Sequence, residues 1–514
     1  MKQNLTARLF FVIFTLLIGT VGVAQDSPKR ELRGVWVATV LNIDWPSKPG
    51  MNARQQQREI DQLLDDFKSL NLNAVFLQIR PVSDAIYRSN YEPWSQYLSG
   101  IQGEAPNPLY DPLDYFIEGC HNRGMELHAW LNPFRVKQKP EDELVKGHIF
   151  EQHPEWGWEY GTKTYLDPGI PAVRDFVAEI VKDVVSRYDI DGIHFDDYFY
   201  PYPIEGTEIP DSVTFETYNN GYTKDRMADW RRNNVDAFIF KINRDIKDIK
   251  PWIQFGISPF GVWRNKQDDP DGSDTDAGVT AYDDLYADVI KWLRLGWVDY
   301  LVPQIYWQFG HPKADFKTLA DWWGDHAFKR NIFVGHALYR LTQEGADAAW
   351  ENPVEFPKQI RYVRNNPNLK GSVWFSSSRF FNETIGFTQF LRNAYYRNKA
   401  LMPEISWIKG DVPFTPVNVQ AKKVKDNNML IAWDEPFVKE GFSEPKFYVI
   451  YRCKKGEAID KNDPKYIYDV VKHPEYLVRI PLFNLRKDQY IYRITTIDRL
   501  NRESELSNPV VINQ

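Results

Sequence analysis

One repeating pattern governs the chain from residue 32 to about residue 400: a short apolar run, a polar loop and an amphipathic helix, over and over. The runs are rich in β-branched and aromatic residues, which is typical of buried strands. Segments between them, such as AVRDFVAEIVKDVVSRY, carry apolar residues at helical spacing. Strands that alternate with helices form parallel βαβ units, and eight units in series predict a closed (β/α)8 barrel over residues 25–405. The eight runs are LRGVWVATV (32–40), NAVFLQIR (73–80), MELHAWLNP (125–133), GIHFDDYF (192–199), QFGISPFG (254–261), YLVPQIYW (300–307), NIFVGHALY (331–339) and GSVWFSSS (371–378).

An open, doubly wound sheet is the alternative arrangement of the same units. It would place a glycine-rich phosphate-binding turn after the first strand, and GVWVATVLNIDWP (34–46) has no such turn. The barrel therefore explains the pattern better. Its third loop, from about 134 to 170, is long and without a periodic pattern, as functional loops often are.

The pattern changes at about residue 411, where short alternating strands and polar turns replace the helices. This predicts a β-sandwich. Residues 411–514 resemble a fibronectin type III domain in the segments IAWDEP, YVIYR, YIYRITTIDRLNRES and SNPVVI. Trp433 stands where such a domain has its core tryptophan. The domain is either a spacer that packs on the barrel or a glycan anchor.

The first 24 residues have the features of a secretory signal peptide. Lys2 and Arg8 precede an apolar run, and Gly22 and Ala24 suit a cleavage site after Ala24. A retained anchor helix is the alternative. No cysteine lies near this site for lipid attachment. We therefore expect an exported protein, periplasmic or extracellular, with no membrane span after cleavage.

Composition narrows the class of ligand. With 63 Lys and Arg against 70 Asp and Glu, the net charge is −7, which gives no electrostatic reason to bind nucleic acid. The two cysteines, Cys120 and Cys453, fall in different predicted domains and are expected to be buried free thiols, so neither a disulfide scaffold nor a four-cysteine zinc site fits. Aromatic residues reach 15%, with 18 Trp. Beyond packing, such rings can stack on sugars.

The fourth run, in DGIHFDDYF (191–199), carries the strongest catalytic candidate. Strand alternation directs His194 and Asp196 to the barrel axis and Ile193 and Phe195 to the surrounding helices. Asp196 lies nearer the mouth, at the C-terminal end where barrel enzymes hold their active sites. The alternative is a carboxylate braced by an arginine or by backbone N–H groups.

Other strand ends supply hydrogen-bonding and aromatic groups, the mixture that carbohydrates require. Any one of them could be a satisfied core residue, so their joint placement carries the inference. The predicted substrate-binding residues are Arg80, His128, Trp130, Asn132, His194, Gln304, Tyr306, Trp307, His336 and Trp374.

His128, His194 and His336 together with Asp196 are the residues that could form a metal site. Metal-dependent barrel hydrolases use such strand-end groups, but the H-x-H pair on the first strand is missing from GVWVATV. No G-x-S-x-G nucleophile elbow occurs either. We therefore expect no metal and no cofactor.

Residues 31 to about 400 resemble the glycosyl hydrolase-like 10 family of secreted bacterial barrels. The resemblance rests on segments in family order: ELRGVWVATVLNIDWPSKPG, LNLNAVFLQIRPVSDAIYRSNYEPWS, DPLDYFIEGCHNRGMELHAWLNPFRV, TYLDPGIPAVRDFV, DGIHFDDYFYP and VPQIYWQFG. It implies a glycoside hydrolase, and some members act on peptidoglycan glycan strands, notably strands without stem peptides. The expected partner is a bacterial cell-wall or other amino-sugar polysaccharide. A non-catalytic glycan-binding barrel and a metal-dependent deacetylase are the alternatives.

Glycoside hydrolysis normally uses two carboxyl groups. DGIHFDD is similar to the fourth-strand motif of amylase-like barrels, which implies that Asp196 is the nucleophile, but His194 replaces the usual arginine and FGISPFG lacks the usual acid. It is also similar to the chitinase motif, where Tyr198 would replace the catalytic glutamate. The second carboxyl group stays open among Asp197, Asp167, Asp44, Asp84, Glu155 and Glu159.

Overall fold

The computed structural model describes residues 27–513, apart from 344, 346, 383–385, 426–427, 440 and 481–487. The predicted signal peptide, residues 1–24, lies outside the described residues. Within these described ranges, no helix has both the length and the apolar character needed to cross a bilayer.

In the described part of the chain, eighteen strands form one closed barrel and three smaller sheets. In chain order they are β1 (Leu32–Val37), β2 (Ala74–Arg80), β3 (Glu126–Leu131), β4 (Arg135–Lys137), β5 (Gly157–Tyr160), β6 (Lys163–Leu166), β7 (Gly192–Phe195), β8 (Gln254–Ile257), β9 (Tyr300–Leu301), β10 (Asn331–His336), β11 (Leu369–Trp374), β12 (Val417–Lys423), β13 (Met429–Asp434), β14 (Pro445–Lys454), β15 (Ile467–Val471), β16 (Glu475–Val478), β17 (Gln489–Asp498) and β18 (Val510–Asn513).

The α-helices lie between the barrel strands and around their ends. They are α1 (Ala53–Ser69), α2 (Gln96–Ser99), α3 (Pro112–His121), α4 (Ile149–Gln152), α5 (Pro171–Arg187), α6 (Ser212–Tyr218), α7 (Met227–Ile249), α8 (Val289–Leu295), α9 (Phe316–Asp325), α10 (Glu355–Asn365), α11 (Arg379–Asn382) and α12 (Phe387–Phe390).

The barrel closes in the order β1-β11-β10-β9-β8-β7-β3-β2, with parallel pairing throughout. Each of the eight predicted runs overlaps one of these strands, so the (β/α)8 prediction is confirmed. Ile193 and Phe195 pack between strands and helices, as predicted. A separate interior cluster, which includes Trp36, Phe76 and Tyr300, fills the barrel.

The third loop has no periodic pattern in the sequence, yet it contains regular structure. Strands β4, β6 and β5 form a small antiparallel sheet, which we call the loop sheet. Its strands are only three or four residues long, too short for a periodic signal in the sequence. Because β4 begins shortly after β3 ends, this sheet stands at the C-terminal end of the barrel.

The C-terminal residues form an all-β unit, as predicted, with sheets β12-β13-β16 and β15-β14-β17-β18. Trp433 is buried in its core and meets Tyr448 edge-on at a centroid distance of 5.1 Å. The fibronectin type III assignment and the domain limits stay predictions. Cys120 and Cys453 are free and buried, which confirms the expectation for both.

The C-terminal unit packs against the N-terminal end of the barrel, which we call the floor. Lys446 of β14 is 7% exposed, and its ammonium lies 2.6 Å from Glu126 Oε1 and 2.8 Å from Asp191 Oδ1. Gly124, at φ +73°, approaches so closely that a Cβ there would lie 2.5 Å from the Val470 carbonyl oxygen. The unit therefore covers the floor, the end of the barrel opposite to the loop sheet.

Candidate active site

Asp196 follows β7 at the C-terminal end of the barrel and is 4% exposed. Trp130 Nε1 donates to its Oδ2 at 3.2 Å, and Asn132 Nδ2 donates to the same oxygen at 3.0 Å. The Asn132 side chain is itself held by the backbone N–H of Arg135, at 2.9 Å. Burial raises the pKa of Asp196, while the Arg135 charge and these two donors oppose the rise. The carboxyl group is therefore held rigidly by donors from β3 and the residue after it.

Asp197 is also buried, at 3% exposed, and it has different partners. The Tyr202 hydroxyl donates to its Oδ2. Burial, followed by the charge of Asp196, raises the pKa of Asp197 to about 7, against the opposing effects of Tyr202 and Gln304. Different environments give two neighbouring carboxyl groups different pKa values. Glycosidases obtain an acid and a carboxylate from the same residue type in this way.

Half-buried aromatic rings surround the two carboxyl groups. Tyr198 and Tyr202 lie with centroids 5.5 Å apart, and Tyr202 meets Phe260 edge-on at 6.0 Å. Trp307 also meets Phe260 edge-on, at a centroid distance of 5.6 Å. Burial, followed by the charges of Tyr339 and Asp197, raises the pKa of Tyr306 well above its ordinary value. Half-buried aromatic rings can stack on the apolar faces of sugars.

Two cations stand on the loop sheet beside these rings. The Arg135 guanidinium lies 5.3 Å from the Tyr198 ring centroid, and the Lys163 ammonium lies 6.0 Å from it. Burial and then the charge of Arg135 lower the pKa of Lys163. The site therefore combines two buried carboxyl groups, several rings and a pair of positive charges.

His128 and His194 lie deeper than predicted, inside the barrel, and neither is exposed. The Tyr300 hydroxyl bridges them, 2.8 Å from His128 Nδ1 and 3.2 Å from His194 Nδ1. His194 Nε2 meets Ser258 Oγ at 3.1 Å, and His128 Nε2 meets Glu126 Oε2 at 3.0 Å. Burial and then His128 lower the pKa of His194 well below its ordinary value. These groups form an internal polar column beneath the site rather than its surface.

Arg80 is fully buried at the end of β2, where it acts as an internal brace. It holds the Glu92 carboxylate with three contacts of 2.6–3.0 Å. Its remaining donors reach the carbonyl oxygens of Asn132 and Pro133 and the Ser83 hydroxyl. Every donor is occupied, so this side chain has nothing left to offer a sugar.

His336 and Trp374 were predicted to face the axis, and the structure places both in the outer layer. His336 Nδ1 lies 2.8 Å from Gln359 Oε1 of α10. The rings of His336 and Trp374 stack at a centroid distance of 4.5 Å. Their inward neighbours are Phe333 and Val373, which pack in the interior cluster. Because side chains alternate along a strand, this parity removes His336 and Trp374 from any sugar-binding surface.

Asp167 follows β6 and organises a turn. It accepts hydrogen bonds from the Gly169 backbone N–H, at 2.7 Å, and from the Thr214 hydroxyl, and burial raises its pKa to about 6. No described contact joins it to Asp196. Asp44 is bound similarly, by Ser376 Oγ and by two backbone N–H groups. Asp84 is buried against Gln102, and Glu155 and Glu159 are exposed on the loop.

The remaining predicted side chains lie around the two carboxyl groups. Trp130 and Asn132 touch Asp196, while Gln304 Nε2 donates to the Ser258 carbonyl at 2.9 Å and neighbours Asp197. His128, His194 and His336 do not converge on Asp196, and the described residues contain no group of three or more metal-ligating side chains with metal-site geometry.

Four contributors were missed in the sequence: Arg135, Lys163, Tyr202 and Phe260. Arg135 had the best available signal, since NPFRVK directly follows a barrel strand. Lys163 and Tyr202 reach the site only because the loop sheet and the segment after β7 fold over the barrel mouth. No local pattern marks either of them.

A closed parallel barrel whose C-terminal end holds two buried carboxyl groups among aromatic rings has the architecture of a glycoside hydrolase. The family model described as glycosyl hydrolase-like 10 matches residues 31–352. The chain belongs to this family, and it is a glycoside hydrolase.

Named relatives agree with this class. The chain is 40% identical over 502 residues to the glycosyl hydrolase YngK of Bacillus subtilis, with 96% of each chain covered. It is 38% identical over 369 residues to the glycosyl hydrolase DigH of Escherichia coli K12, covering 67% of this chain and 83% of that one. Among solved structures, the PgaB glycoside hydrolase domain of Bordetella bronchiseptica is 14% identical, with a TM-score of 0.47, covering 71% of this chain and 99% of that one.

Proposed function

We propose that the protein is an exported enzyme that hydrolyses glycosidic bonds in a bacterial cell-wall or related amino-sugar polysaccharide, including peptidoglycan glycan strands without stem peptides. The observation that carries the hydrolytic part is the Asp196–Asp197 pair, with one carboxyl group held by N–H donors and the other at a pKa of about 7. The resemblance of residues 31 to about 400 to secreted family members supports the substrate class. The charged and apolar N-terminal segment supports export.

In this proposal Asp197 is the general acid. A carboxyl group with a pKa of about 7 keeps its proton in about half of the molecules at neutral pH and can deliver it to the departing glycosidic oxygen. Asp196 is the carboxylate whose charge stabilises the oxocarbenium-like transition state. The N–H donors of Trp130 and Asn132 hold the Asp196 carboxylate in a fixed orientation, and they favour its ionised form.

The half-buried rings bind the sugar chain on either side of the reacting bond. Tyr306, Trp307 and Phe260 present faces near Asp197, and Trp130 does so beside Asp196. Gln304 supplies an amide at the same depth. Arg80, His336 and Trp374 have no part in this binding surface, because their contacts are internal.

The test is digestion of purified peptidoglycan, with and without its stem peptides, followed by mass spectrometry of the products. The mature chain should release glycan fragments from peptide-free strands, and the Asp196→Asn variant should release none above background. Release of peptides or acetate without any cleaved glycosidic bond would contradict the proposal. Equal product yields from the variant and the wild type would remove Asp196 from the mechanism.

A further inference from the structure

The two cations of the loop sheet have no acidic partner among the described residues. Neither Arg135 nor Lys163 lies within ion-pair distance of a carboxylate in those parts of the chain. Arg135 Nε donates to the Pro81 carbonyl at 3.2 Å, and its terminal nitrogens make no hydrogen bond within the described residues. The cations also share one face: Arg135 is in register with Tyr165, which lies two residues beyond Lys163 on β6.

Among the described residues, the buried cations other than Arg135 each have a carboxylate within ion-pair distance; they are Arg33, Arg80, Lys446 and Arg502. Arg80 holds Glu92, Arg33 holds Glu31, and Lys446 holds Glu126 together with Asp191. Two like charges side by side repel each other, and burial, followed by the charge of Arg135, lowers the pKa of Lys163. With no carboxylate within ion-pair distance, Arg135 and the half-buried Lys163 can accept an anion that is not part of the described chain.

The pair lies beside the reacting groups. The backbone N–H of Arg135 holds Asn132, which donates to Asp196, and the Arg135 charge opposes the burial-driven rise in the pKa of Asp196. Both cations stand over the Tyr198 ring, two residues from Asp196. A ligand group that reached them would belong to a sugar next to the bond being cleaved.

We propose that Arg135 and Lys163 form an anion subsite that binds a carboxylate carried by a sugar residue of the glycan. A guanidinium fork beside an ammonium matches the two oxygens of a carboxylate. Such a carboxylate comes from the lactyl ether of a peptide-free muramic acid or from a uronic acid. This inference rests on the proposed function, and it makes Arg135 and Lys163 specificity-determining residues rather than catalytic ones.

The test compares peptide-free peptidoglycan strands with free lactyl carboxylates, the same strands after conversion of these groups to methylamides, and a uronic-acid polymer. For the wild type, amidation should raise KM roughly 10-fold or more with kcat little changed, since charge-assisted hydrogen bonds are lost. Lys163→Met should raise KM on the free strands by a similar factor and reduce the difference between free and amidated strands. Lys163→Arg should restore most of the difference in KM between free and amidated strands.

The matched control is Lys137→Met. Lys137 lies two residues after Arg135 in the same loop sheet, but a register shift between them pairs Lys137 with Thr164. Lys137 therefore points to the opposite face from Arg135 and Lys163. This variant should keep the wild-type KM for both kinds of strand. Cleavage of the uronic-acid polymer in place of peptidoglycan strands would assign the carboxylate to a uronic acid.

The outcomes separate this subsite from the proposed function. If the wild type cleaves free and amidated strands with the same KM, the subsite is refuted while the glycan activity stands. If Lys163→Met still distinguishes the two substrates as the wild type does, Lys163 has no role in it. If the wild type cleaves none of the three substrates, the proposed function itself fails.

Discussion

The two ends of the barrel both bury carboxyl groups, but their surroundings move the pKa values in opposite directions. At the site end, burial raises the pKa of Asp196 and Asp197, and no cation of the described residues forms an ion pair with either. At the floor, burial acts in the same sense on Glu126 and Asp191, but Lys446, together with His128 at Glu126 and His121 at Asp191, outweighs it and holds their pKa below the usual range. A cation supplied by the C-terminal unit therefore separates structural carboxylates from reactive ones.

This contrast also gives the C-terminal unit a role in the fold of the barrel. Beside Lys446, Arg499 pairs with Asp189 at 2.8 Å, and Trp407 of the connecting segment donates to Asp299 at 2.8 Å. These acidic residues precede β7 and β9 at the floor. These contacts favour the interpretation of the C-terminal unit as a spacer that packs on the barrel.

The largest expected effect on the contrast comes from Lys446→Met. Removal of the ammonium leaves Glu126 and Asp191 buried together without a cation, and breaking a buried pair in this way costs about 3–5 kcal/mol. Urea unfolding should show the loss. The control is Lys454→Met on the same strand, whose exposed pair with Asp488 should contribute less than about 1 kcal/mol. Equal losses for both variants would refute the special role of the floor.

Asp197→Asn should reduce kcat on the order of 100-fold, the contribution of a general acid. In the wild type, kcat should fall as pH rises through about 7, because Asp197 then loses its proton. The variant should lack this alkaline limb. Asp167→Asn is the control: it removes another buried carboxyl group, one bound in a turn, and should retain the limb. A limb that disappears in Asp167→Asn would transfer the acid role to Asp167.

The same raised pKa has a consequence for stability. Because the folded-state pKa of Asp197 lies above its unfolded value, its bound proton stabilises the fold at acidic pH. This contribution is fully present below about pH 4 and is lost as pH rises through about 7. The urea midpoint of the wild type minus that of Asp197→Asn, measured from pH 4 to 8, should therefore decrease as pH rises. A midpoint difference that does not vary with pH would contradict it.

The smallest expected effect is that of Tyr202→Phe. The Tyr202 hydroxyl donates to Asp197 and lowers its pKa, so its removal should move the alkaline limb of kcat upward by about one pH unit or less. A pH profile of kcat measures the displacement. Tyr218→Phe, a change on the exposed side of α6, serves as control and should leave the limb in place. A downward shift in Tyr202→Phe would show that the hydroxyl favours the protonated acid instead.

The sequence predicted the barrel well because each strand is a continuous apolar run between polar loops. At β7, where Ile193 and Phe195 alternate with polar residues, the sequence correctly predicted which side chains face the helices. At β10 and β11 the predicted side-chain directions were wrong. Parallel barrel strands are buried on both faces, so His336 and Trp374 had no polar neighbour to fix their direction.

Long-range partners explain the other differences. Arg80 is the correct residue type at a strand end, but Glu92 occupies it from the following loop. Lys163 and Tyr202 join the site through chain folding that no local pattern specifies. Asp196 was predictable because a carboxylate at the mouth of a barrel strand has few structural reasons to be there.

The most direct measurement of the difference between the two ends is a paired assay of Asp196→Asn and Asp191→Asn, with kcat and the urea midpoint determined for each. Asp196→Asn should lose activity on the order of 1,000-fold or more and keep its midpoint. Asp191→Asn should lower the midpoint and keep kcat near the wild-type value under native conditions. If Asp196→Asn retains wild-type kcat, or if Asp191→Asn abolishes activity without loss of stability, the assignment of chemistry to the site end and of structure to the floor is contradicted.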